Sequence, residues 1–288
     1  MDKPSILLQL DTDPQPSVFD AVVAVDAGVQ HLLRHGGVTP ENVRELVHGA
    51  IFTRGGDDLR RTAIFVGGSD VRAGEALLAK IKKCFFGPLR VSVMIDSNGA
   101  NTTAAAAVLA ASAHLELGRT TALVLGATGP VGQRVVRLLA RQGARVRVGS
   151  RDVVRAEEAC AAVLEKLPDA KLEACSTTST IGLSEALHAV ELVIAAGAPG
   201  VPLLPLAARH AYTTLKVAID LNAVPPLGIE GLEVTDRAQD RSGLICYGAI
   251  GVGGTKMKIH KAALRRLFEG HEQILDAEEI FAIGQGLK

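Results

Sequence analysis

The sequence lacks tryptophan and is poor in aromatic residues, which make up 3% of its 288 positions. Stacking platforms for single-stranded nucleic acid depend on aromatic rings, so this composition disfavours such a function. The charges also balance, with 31 basic and 31 acidic residues, and no overall field attracts nucleic acid or an acidic membrane. We therefore expect small-molecule partners, with neither nucleic acid nor membrane among them.

Cysteine is scarce as well, and the four cysteines are scattered without a Cys-x-x-Cys pair. This spacing disfavours a zinc site or a redox motif, so we expect buried free thiols and no metal. Glycine, proline or charge interrupts every apolar run before the length of about 20 residues that a membrane span requires. The apolar core of the first residues, MDKPSILLQLDTD, is too short for a signal peptide, which predicts a soluble cytoplasmic protein.

The most informative segment is residues 121–132, TALVLGATGPVG, in which a buried-strand pattern leads into three glycines and then into a helix-like stretch. This order predicts a dinucleotide-binding turn. The first glycine permits the tight turn, the second lets backbone amides approach a pyrophosphate, and the third lets helix and strand pack closely. The phosphates would lie at the helix N-terminus. The alternative is an ordinary structural turn without cofactor.

The next predicted strand indicates which dinucleotide binds. It ends in Ser150 and Arg151, about 20 residues beyond the turn, where an NAD-binding unit places an acidic residue. A hydroxyl and a guanidinium suit a 2′-phosphate instead. Arg155 lies one helical turn beyond Arg151 and can face the same anion, or it can be a solvated residue at a helix start. We expect NADP, with NAD as a weaker alternative.

Strand and helix patterns alternate along the whole chain. Short apolar runs alternate with amphipathic stretches in the first hundred residues, and an alanine-rich helix begins near Thr102. From Thr120 the alternation repeats in the order of a doubly wound parallel sheet. The predicted fold class is α/β with two domains. Residues 1–105 are predicted to form an N-terminal α/β domain, which the amphipathic C-terminal helices in 262–288 complete, and residues 106–261 to form a Rossmann-like domain.

Six strings carry a resemblance to a known family. They are LDTDPQPSVFD, AIFVGG, DSNGANTTAAAA, LGATGPVG, DLNAVPPLGI and GAIGVGGTKMKIH. Together they closely resemble the bacterial NAD(P)-dependent methylene-tetrahydromethanopterin dehydrogenases, which are related in architecture to methylene-tetrahydrofolate dehydrogenases. The resemblance implies hydride transfer from a reduced pterin to a nicotinamide in one-carbon (formaldehyde) metabolism. It also implies a homo-oligomer, a trimer or dimer, and a cleft between the domains for cofactor and pterin.

The expected cofactor residues follow the strand ends of the second domain. Some of these residues have an alternative, structural role. A plain turn position is the alternative for Thr128, Ala196 and Gly197, and capping of the turn at Pro225 is the alternative for Asp220. The full set is Gly126, Thr128, Gly129, Pro130, Val131, Gly132, Ser150, Arg151, Arg155, Ala196, Gly197, Asp220 and Asn222.

The expected pterin residues are Asp20, Ser97, Asn98, Thr102 and Thr103. Their alternative role is helix capping. Lys256, in the glycine-rich string GVGGTK, is predicted to stand in a loop at the mouth of the cleft and to act as the catalytic-site lysine. A plain solvated lysine is the alternative. His260 is predicted to be a packed or capping histidine near a helix start.

Two rival functions remain open. One is a methylene-tetrahydrofolate dehydrogenase, since the two pterins share the reacting centre. The other is a non-catalytic NADP-sensing module, which the second domain and the polar loop at 96–103 disfavour. The sequence leaves open whether the chain also has cyclohydrolase activity.

Overall fold

The computed structural model describes residues 3–287, apart from the side chain of His210. The outermost positions of the predicted domain ranges, residues 1, 2 and 288, lie outside this description. The chain divides into two compact units, of which unit 1 comprises Met1–Thr102 and Met257–Lys288, and unit 2 comprises Thr103–Lys256. No helix among the described residues is long and apolar enough to cross a membrane.

The strands in chain order are β1 (Ile6–Asp11), β2 (His31–His35), β3 (Thr62–Gly67), β4 (Ser92–Ile95), β5 (Thr121–Leu125), β6 (Arg145–Ser150), β7 (Lys171–Ser176), β8 (Leu192–Ala195), β9 (Val217–Asp220), β10 (Gln239–Arg241), β11 (Leu244–Tyr247) and β12 (Ile274–Leu275). The α-helices are α1 (Val18–Asp26), α2 (Val43–Phe52), α3 (Val71–Cys84), α4 (Ala100–Ser112), α5 (Pro130–Arg141), α6 (Val153–Leu164), α7 (Thr180–Leu187), α8 (Leu206–Ala211), α9 (Ala249–Arg266) and α10 (Ala277–Gln285).

Unit 1 is built on a five-stranded sheet in the order β12-β4-β3-β1-β2. All of its pairings are parallel. Every residue of β3 and β4 is buried, as expected for strands covered on both faces. The C-terminal segment contributes the edge strand β12, and α10 follows behind a capping box formed by Asp276 and Glu279.

Unit 2 is built on a seven-stranded sheet in the order β10-β11-β9-β8-β5-β6-β7. Its strands are parallel except β10, which pairs antiparallel with β11. The chain runs outward from β5 to β7 and then returns to β8 on the other side. This is the doubly wound arrangement of Rossmann folds, whose ligands bind where the strand order reverses. In unit 2 that point is the edge where β5 and β8 end.

Candidate active site

The turn after β5 is closed by backbone contacts that exclude side chains. Gly126 has a φ of +68°, which favours glycine. A Cβ on Gly126 would lie 2.6 Å from the Cα of Gly197, because the loop after β8 packs directly on the turn. A Cβ on Gly132 would lie 2.5 Å from the carbonyl oxygen of Gly126. The first and third glycines are therefore required for the packing of this turn.

Helix α5 begins at this turn and points its first backbone amides toward it. Gly129 is the N-cap residue, Pro130 occupies the first turn, and no side chain among the described residues caps the helix. Val131 is half-buried in the same first turn. The Nε2 of Gln133 donates to the carbonyl oxygen of Thr128 at 2.9 Å, and this hydrogen bond holds the turn against α5. An uncapped helix N-terminus offers free N–H groups to an anion.

A cavity of about 280 Å³ lies at this edge of unit 2. It collects the ends of β5, β6 and β8, so residues predicted separately from the sequence meet there. The lining residues are Gly126, Thr128, Gly129, Ser150, Arg151, Asp152, Arg155, Thr177, Ala196, Gly197, Ala198, Val201 and Leu203.

The end of β6 carries two exposed guanidinium groups and one carboxylate. Arg151 and Arg155 are both exposed. Asp152, which the sequence reasoning missed, is the N-cap residue of α6, and its Oδ1 accepts from the amides of Val154 at 3.0 Å and Arg155 at 3.4 Å. The hydroxyl of Ser150 accepts from the Asp152 amide at 3.2 Å. The carboxylate is occupied in capping, and the two cations give this rim a net positive charge.

Asp220 and Asn222 hold the loop that follows β9. The buried carboxylate of Asp220 accepts from the amides of Asn222 at 2.9 Å and Ile229 at 2.7 Å. Burial raises the pKa of this carboxyl, and the amide hydrogen bonds oppose the rise. The Oδ1 of Asn222 accepts from the amide of Val224 at 2.9 Å. These contacts correspond to the structural alternative for Asp220, and neither side chain lines the described cavity beside Gly126.

The prediction that Lys256 stands in a loop is wrong. It lies in the second turn of α9, half-buried. Two of the glycines before it, Gly248 and Gly251, serve close packing rather than chain flexibility. A Cβ on Gly248 would overlap the carbonyl oxygen of Glu233, and one on Gly251 would overlap that of Asp236.

The loop after β4 in unit 1 is organised by Asp96. Its Oδ1 accepts from the amides of Asn101 at 2.9 Å and Thr102 at 3.0 Å, and its Oδ2 accepts from the Thr102 hydroxyl at 2.6 Å. The hydroxyl of Ser97 donates to the carbonyl oxygen of Gly67 at 3.2 Å. Ser97 and Thr102 are buried, so their hydroxyls act inside the unit.

The other two predicted polar residues of this segment are more accessible. Asn98 is exposed, has a φ of +54° and donates its amide to the carbonyl oxygen of Gly68 at 2.7 Å. Thr103 is half-buried in α4 and belongs to unit 2. Asn98 is thus the exposed polar side chain at the end of β4.

Asp20 lies in the first turn of α1, whose N-cap Ser17 accepts from the Asp20 amide at 3.2 Å. Its side chain is half-buried. Burial raises the pKa of the Asp20 carboxyl, while positive charge on His260 lowers it. His260 is 1% exposed, which agrees with the predicted packed histidine. It lies in the second half of the long helix α9, however, and not near a helix start.

The four cysteines are free thiols, of which Cys84, Cys160 and Cys246 are buried and Cys175 is half-buried. Burial raises the pKa of Cys175 to about 11. The Cys175 thiol is therefore protonated at neutral pH and is not activated as a nucleophile.

Fold and site together define a two-unit protein of the Rossmann dinucleotide-binding class. Residues 18–98 match the family model described as methylene-tetrahydromethanopterin dehydrogenase, N-terminal. Residues 122–223 match the model of the NAD dependent epimerase/dehydratase family. The bifunctional protein MdtA of Methylorubrum extorquens is 44% identical over 282 residues, which cover 97% of this chain and 98% of that protein. The chain belongs to the methylene-tetrahydromethanopterin dehydrogenase family, and the family prediction made from the sequence is confirmed.

A second relative agrees with this assignment, and two solved structures share the fold. The NAD(P)-dependent methylenetetrahydromethanopterin dehydrogenase of the same organism is 28% identical, over 97% of this chain and 97% of that protein. Quinate dehydrogenase from Corynebacterium glutamicum in complex with NAD matches with a TM-score of 0.57, 14% identity and coverage of 99% and 100% of the two chains. The Trypanosoma brucei methylenetetrahydrofolate dehydrogenase-cyclohydrolase complexed with NADP cofactor and inhibitor matches with a TM-score of 0.52, 16% identity and coverage of 93% and 87%. These structures confirm the predicted α/β fold class.

Proposed function

We propose that this chain oxidises methylene-tetrahydromethanopterin to its methenyl form by direct hydride transfer to NADP, as a step of one-carbon metabolism. The observation that carries the proposal is the cavity at the ends of β5, β6 and β8. In this cavity a glycine-rich turn lies beside a rim that carries two guanidinium groups. Membership of the family supports the reaction and the pterin substrate.

The residues of unit 2 fit a dinucleotide with a 2′-phosphate. The turn at Gly126 leaves no space for a Cβ, and the uncapped N-terminus of α5 presents amides where a pyrophosphate would lie. Arg151 and Arg155 suit a dianionic phosphate better than a free hydroxyl, because charge-assisted hydrogen bonds are the stronger ones. NADP supplies the hydride acceptor. Ala196 and Gly197 leave space beside the turn for the remainder of the cofactor.

The reaction needs little acid or base catalysis. The carbon that loses hydride lies between two nitrogens, whose lone pairs stabilise the cation that forms. The contribution of the protein is then chiefly to hold the reacting groups in one orientation, which can lower a barrier by several kcal/mol. This requirement agrees with a cofactor site made largely of backbone and small side chains.

We assign the pterin to unit 1. Asp20 and Asn98 are the accessible polar side chains among the predicted pterin residues of unit 1, and Ser97 and Thr102 shape the loop that carries Asn98. The sequence alone adds Thr103 and Lys256, which belong to unit 2, to the proposed set. Lys256 would orient the pterin, since a cation offers no electrostatic benefit to a cationic product.

Turnover of defined pterins tests the proposal. Purified protein is incubated with methylene-tetrahydromethanopterin and either NADP or NAD, and reduced nicotinamide and methenyl product are measured together. We expect both products with NADP, slower formation with NAD and the same rates after dialysis against a chelator. Cofactor binding without turnover of any pterin would contradict the proposal and favour a sensor.

The same assay addresses the rival substrate. Methylene-tetrahydrofolate is assayed in parallel, and a higher kcat/KM with the folate would replace the proposed substrate. Hydrolysis of the methenyl product, followed without nicotinamide, measures cyclohydrolase activity. Light scattering of the purified chain tests the predicted homo-oligomer.

A further inference from the structure

Capping of α6 uses only one oxygen of the Asp152 carboxylate. The Oδ1 of Asp152 accepts from the amides of Val154 at 3.0 Å and Arg155 at 3.4 Å. No group in the described part of the chain donates to its Oδ2. Asp152 is exposed and lines the cavity beside Gly126. One carboxylate oxygen at the rim of this cavity is therefore open to a ligand.

The backbone that carries this carboxylate is fixed by the segment that follows β7. The amide of Thr177 donates to the carbonyl oxygen of Ser150 at 2.9 Å, and the hydroxyl of Thr178 donates to that of Arg151 at 2.7 Å. The Asp152 amide donates to the Ser150 hydroxyl at 3.2 Å. The side chains at the end of β6 thus extend from a backbone that its neighbours hold in place.

The rim carries charges of both signs. Arg151 and Arg155 line the cavity together with Asp152, and their guanidinium groups form no ion pair with it or with any other carboxylate that the structure describes. A 2′-phosphate is attracted by the two cations and repelled by the carboxylate. A ribose 2′-hydroxyl is neutral and can donate its proton to a carboxylate oxygen. The rim therefore holds groups that suit both forms of the ribose.

The place of Asp152 in the fold also suits a ribose contact. Strand β6 pairs in parallel with β5, with Leu125 opposite Gly149, so the two strands end side by side. In Rossmann units the acidic residue that binds the ribose 2′-hydroxyl follows the second strand, about 20 residues beyond the glycine turn. Asp152 follows β6, the second strand of this unit, and reaches the same cavity as the turn.

We propose that Asp152 is a specificity-determining residue that lets the cofactor site accept NAD beside NADP. This inference rests on the proposed function. The Oδ2 of Asp152 accepts a hydrogen bond from the 2′-hydroxyl of NAD, and its charge opposes the 2′-phosphate of NADP. Arg151 and Arg155 bind that phosphate. The preference for NADP is then the difference between two opposed contributions, and it is smaller than the arginines alone would give.

The variant Asp152→Ser tests the inference. Serine caps a helix about as well as aspartate, so α6 keeps its N-cap, but the second carboxylate oxygen and the charge are lost. We expect the Kd of NADH to rise about tenfold, because a charge-assisted hydrogen bond is lost. The Kd of NADPH should fall about threefold, because the repulsion of its 2′-phosphate is lost. Titrations followed by the fluorescence of the reduced nicotinamide measure both constants.

The opposite signs distinguish this role from a structural one. Damage to the rim would weaken the binding of both cofactors, and a solvated carboxylate would affect neither. Any pattern other than weaker NADH binding with tighter NADPH binding overturns the inference. With either cofactor at saturation, kcat should stay within about twofold, because the ribose contact is remote from the reacting carbon.

Three further variants make the result specific. Asp152→Asn keeps an oxygen for the cap without the charge, and it should also bind NADPH about threefold more tightly. If Asp152→Ser does not fold, the decision passes to Asp152→Asn, and NADPH binding no tighter than in the wild type overturns the inference. Glu158→Gln removes a negative charge from an exposed position of α6 outside the cavity. It should leave both Kd values within about twofold, and shifts as large as those of Asp152→Ser would overturn the inference.

The control for the cap is Asp70→Ser in unit 1. Asp70 caps α3 as Asp152 caps α6, with its Oδ1 accepting from the amides of Arg72 at 2.8 Å and Ala73 at 3.1 Å. The two serine variants should show similar small changes in Tm, and only Asp152→Ser should change cofactor binding. A change of NADH and NADPH binding in Asp70→Ser equal to that in Asp152→Ser would overturn the inference.

Binding without substrate separates this inference from the proposed function. The titrations need no pterin, so they report on Asp152 whether or not the chain turns a pterin over. Absence of wild-type turnover with any pterin refutes the proposed reaction and leaves the titrations standing. Normal wild-type turnover, with Kd values in Asp152→Ser that do not move in opposite directions, refutes the role of Asp152 alone.

Discussion

The two candidate binding regions are built in opposite ways. In unit 2 the site consists of backbone and mostly small side chains from short segments that follow β5, β6 and β8, with two exposed cations at its rim. In unit 1 it consists of carboxylates and other polar side chains from the end of β1, from α1 and from the loop after β4, which are far apart in the sequence. The glycine turn of unit 2 excludes larger side chains, whereas the unit 1 region depends on the charge of its side chains. Each should therefore fail under a different kind of substitution.

The difference also separates two kinds of recognition. A backbone-made site binds phosphate through amides whose positions the fold fixes, so its affinity varies little with pH. A site made from buried carboxylates changes charge with pH, because burial and neighbouring charges alter the pKa of each group. We expect pterin binding to vary with pH.

The largest effect is expected for Gly126→Ala. The new Cβ would lie 2.6 Å from the Cα of Gly197, at a φ of +68° that an alanine rarely adopts. Both costs fall on the turn, so we expect a loss of about 2–3 kcal/mol in stability and roughly hundredfold weaker NADP binding. Thermal unfolding and fluorescence titration with NADP measure the two effects.

Gly118→Ala is the matched control in unit 2. Its Cβ would come no nearer than 3.5 Å to the carbonyl oxygen of Gln142, an ordinary contact. It should bind NADP as the wild type does. Equal losses in the two variants would show that the turn at Gly126 has no special part in cofactor binding.

A smaller and more selective effect is expected for Arg151→Ala. Loss of one charge-assisted phosphate contact costs about 1.5–3 kcal/mol, so KM for NADP should rise tenfold or more. KM for NAD, which has no 2′-phosphate, should stay nearly unchanged. Steady-state kinetics with both cofactors measure the ratio, with Arg145→Ala at the exposed start of β6 as the control. Parallel changes for both cofactors would refute the 2′-phosphate assignment.

The same contrast explains how much the sequence could predict. The glycine turn and the basic rim are local patterns, so the doubly wound fold and the expected NADP residues could be derived from neighbouring residues. Strands β2, β10, β11 and β12 were not predicted. Of these, β2, β10 and β12 are short edge strands with few buried residues. They exist because a neighbouring strand offers hydrogen bonds, which no local pattern records.

The errors near Lys256 have a related physical cause. A glycine-rich sequence has low helix propensity and is typical of a loop. Here the start of helix α9 packs closely against residues 233–236. Glycine is required at positions 248 and 251 because neither has space for a Cβ. The approach of His260 to Asp96 likewise arises only when α9 packs beside the loop after β4 in unit 1.

A moderate effect is expected for Lys256→Ala. If Lys256 orients the pterin, turnover and kcat/KM with the pterin should both fall, by roughly fivefold, while the Kd of NADP stays within about twofold. Lys258→Ala is the matched control, since Lys258 is exposed on the same helix. Stopped-flow turnover and a separate NADP titration distinguish the two roles. Wild-type turnover in Lys256→Ala would make it an ordinary surface residue.

The smallest effect is expected for Gly254→Ala, which tests what the helical glycines of α9 are for. A Cβ on Gly254 would meet no heavy atom within 4 Å among the described residues, and its φ is not in the left-handed region. Alanine there should stabilise the protein by about 0.5–1 kcal/mol, because it lowers the entropy of the unfolded chain. Gly251→Ala should instead destabilise it, since its Cβ would overlap the carbonyl oxygen of Asp236. Thermal unfolding compares the two variants. A loss of stability in both would mean that the glycine positions in the first two turns of α9 exclude a Cβ, as Gly126 does in the turn after β5.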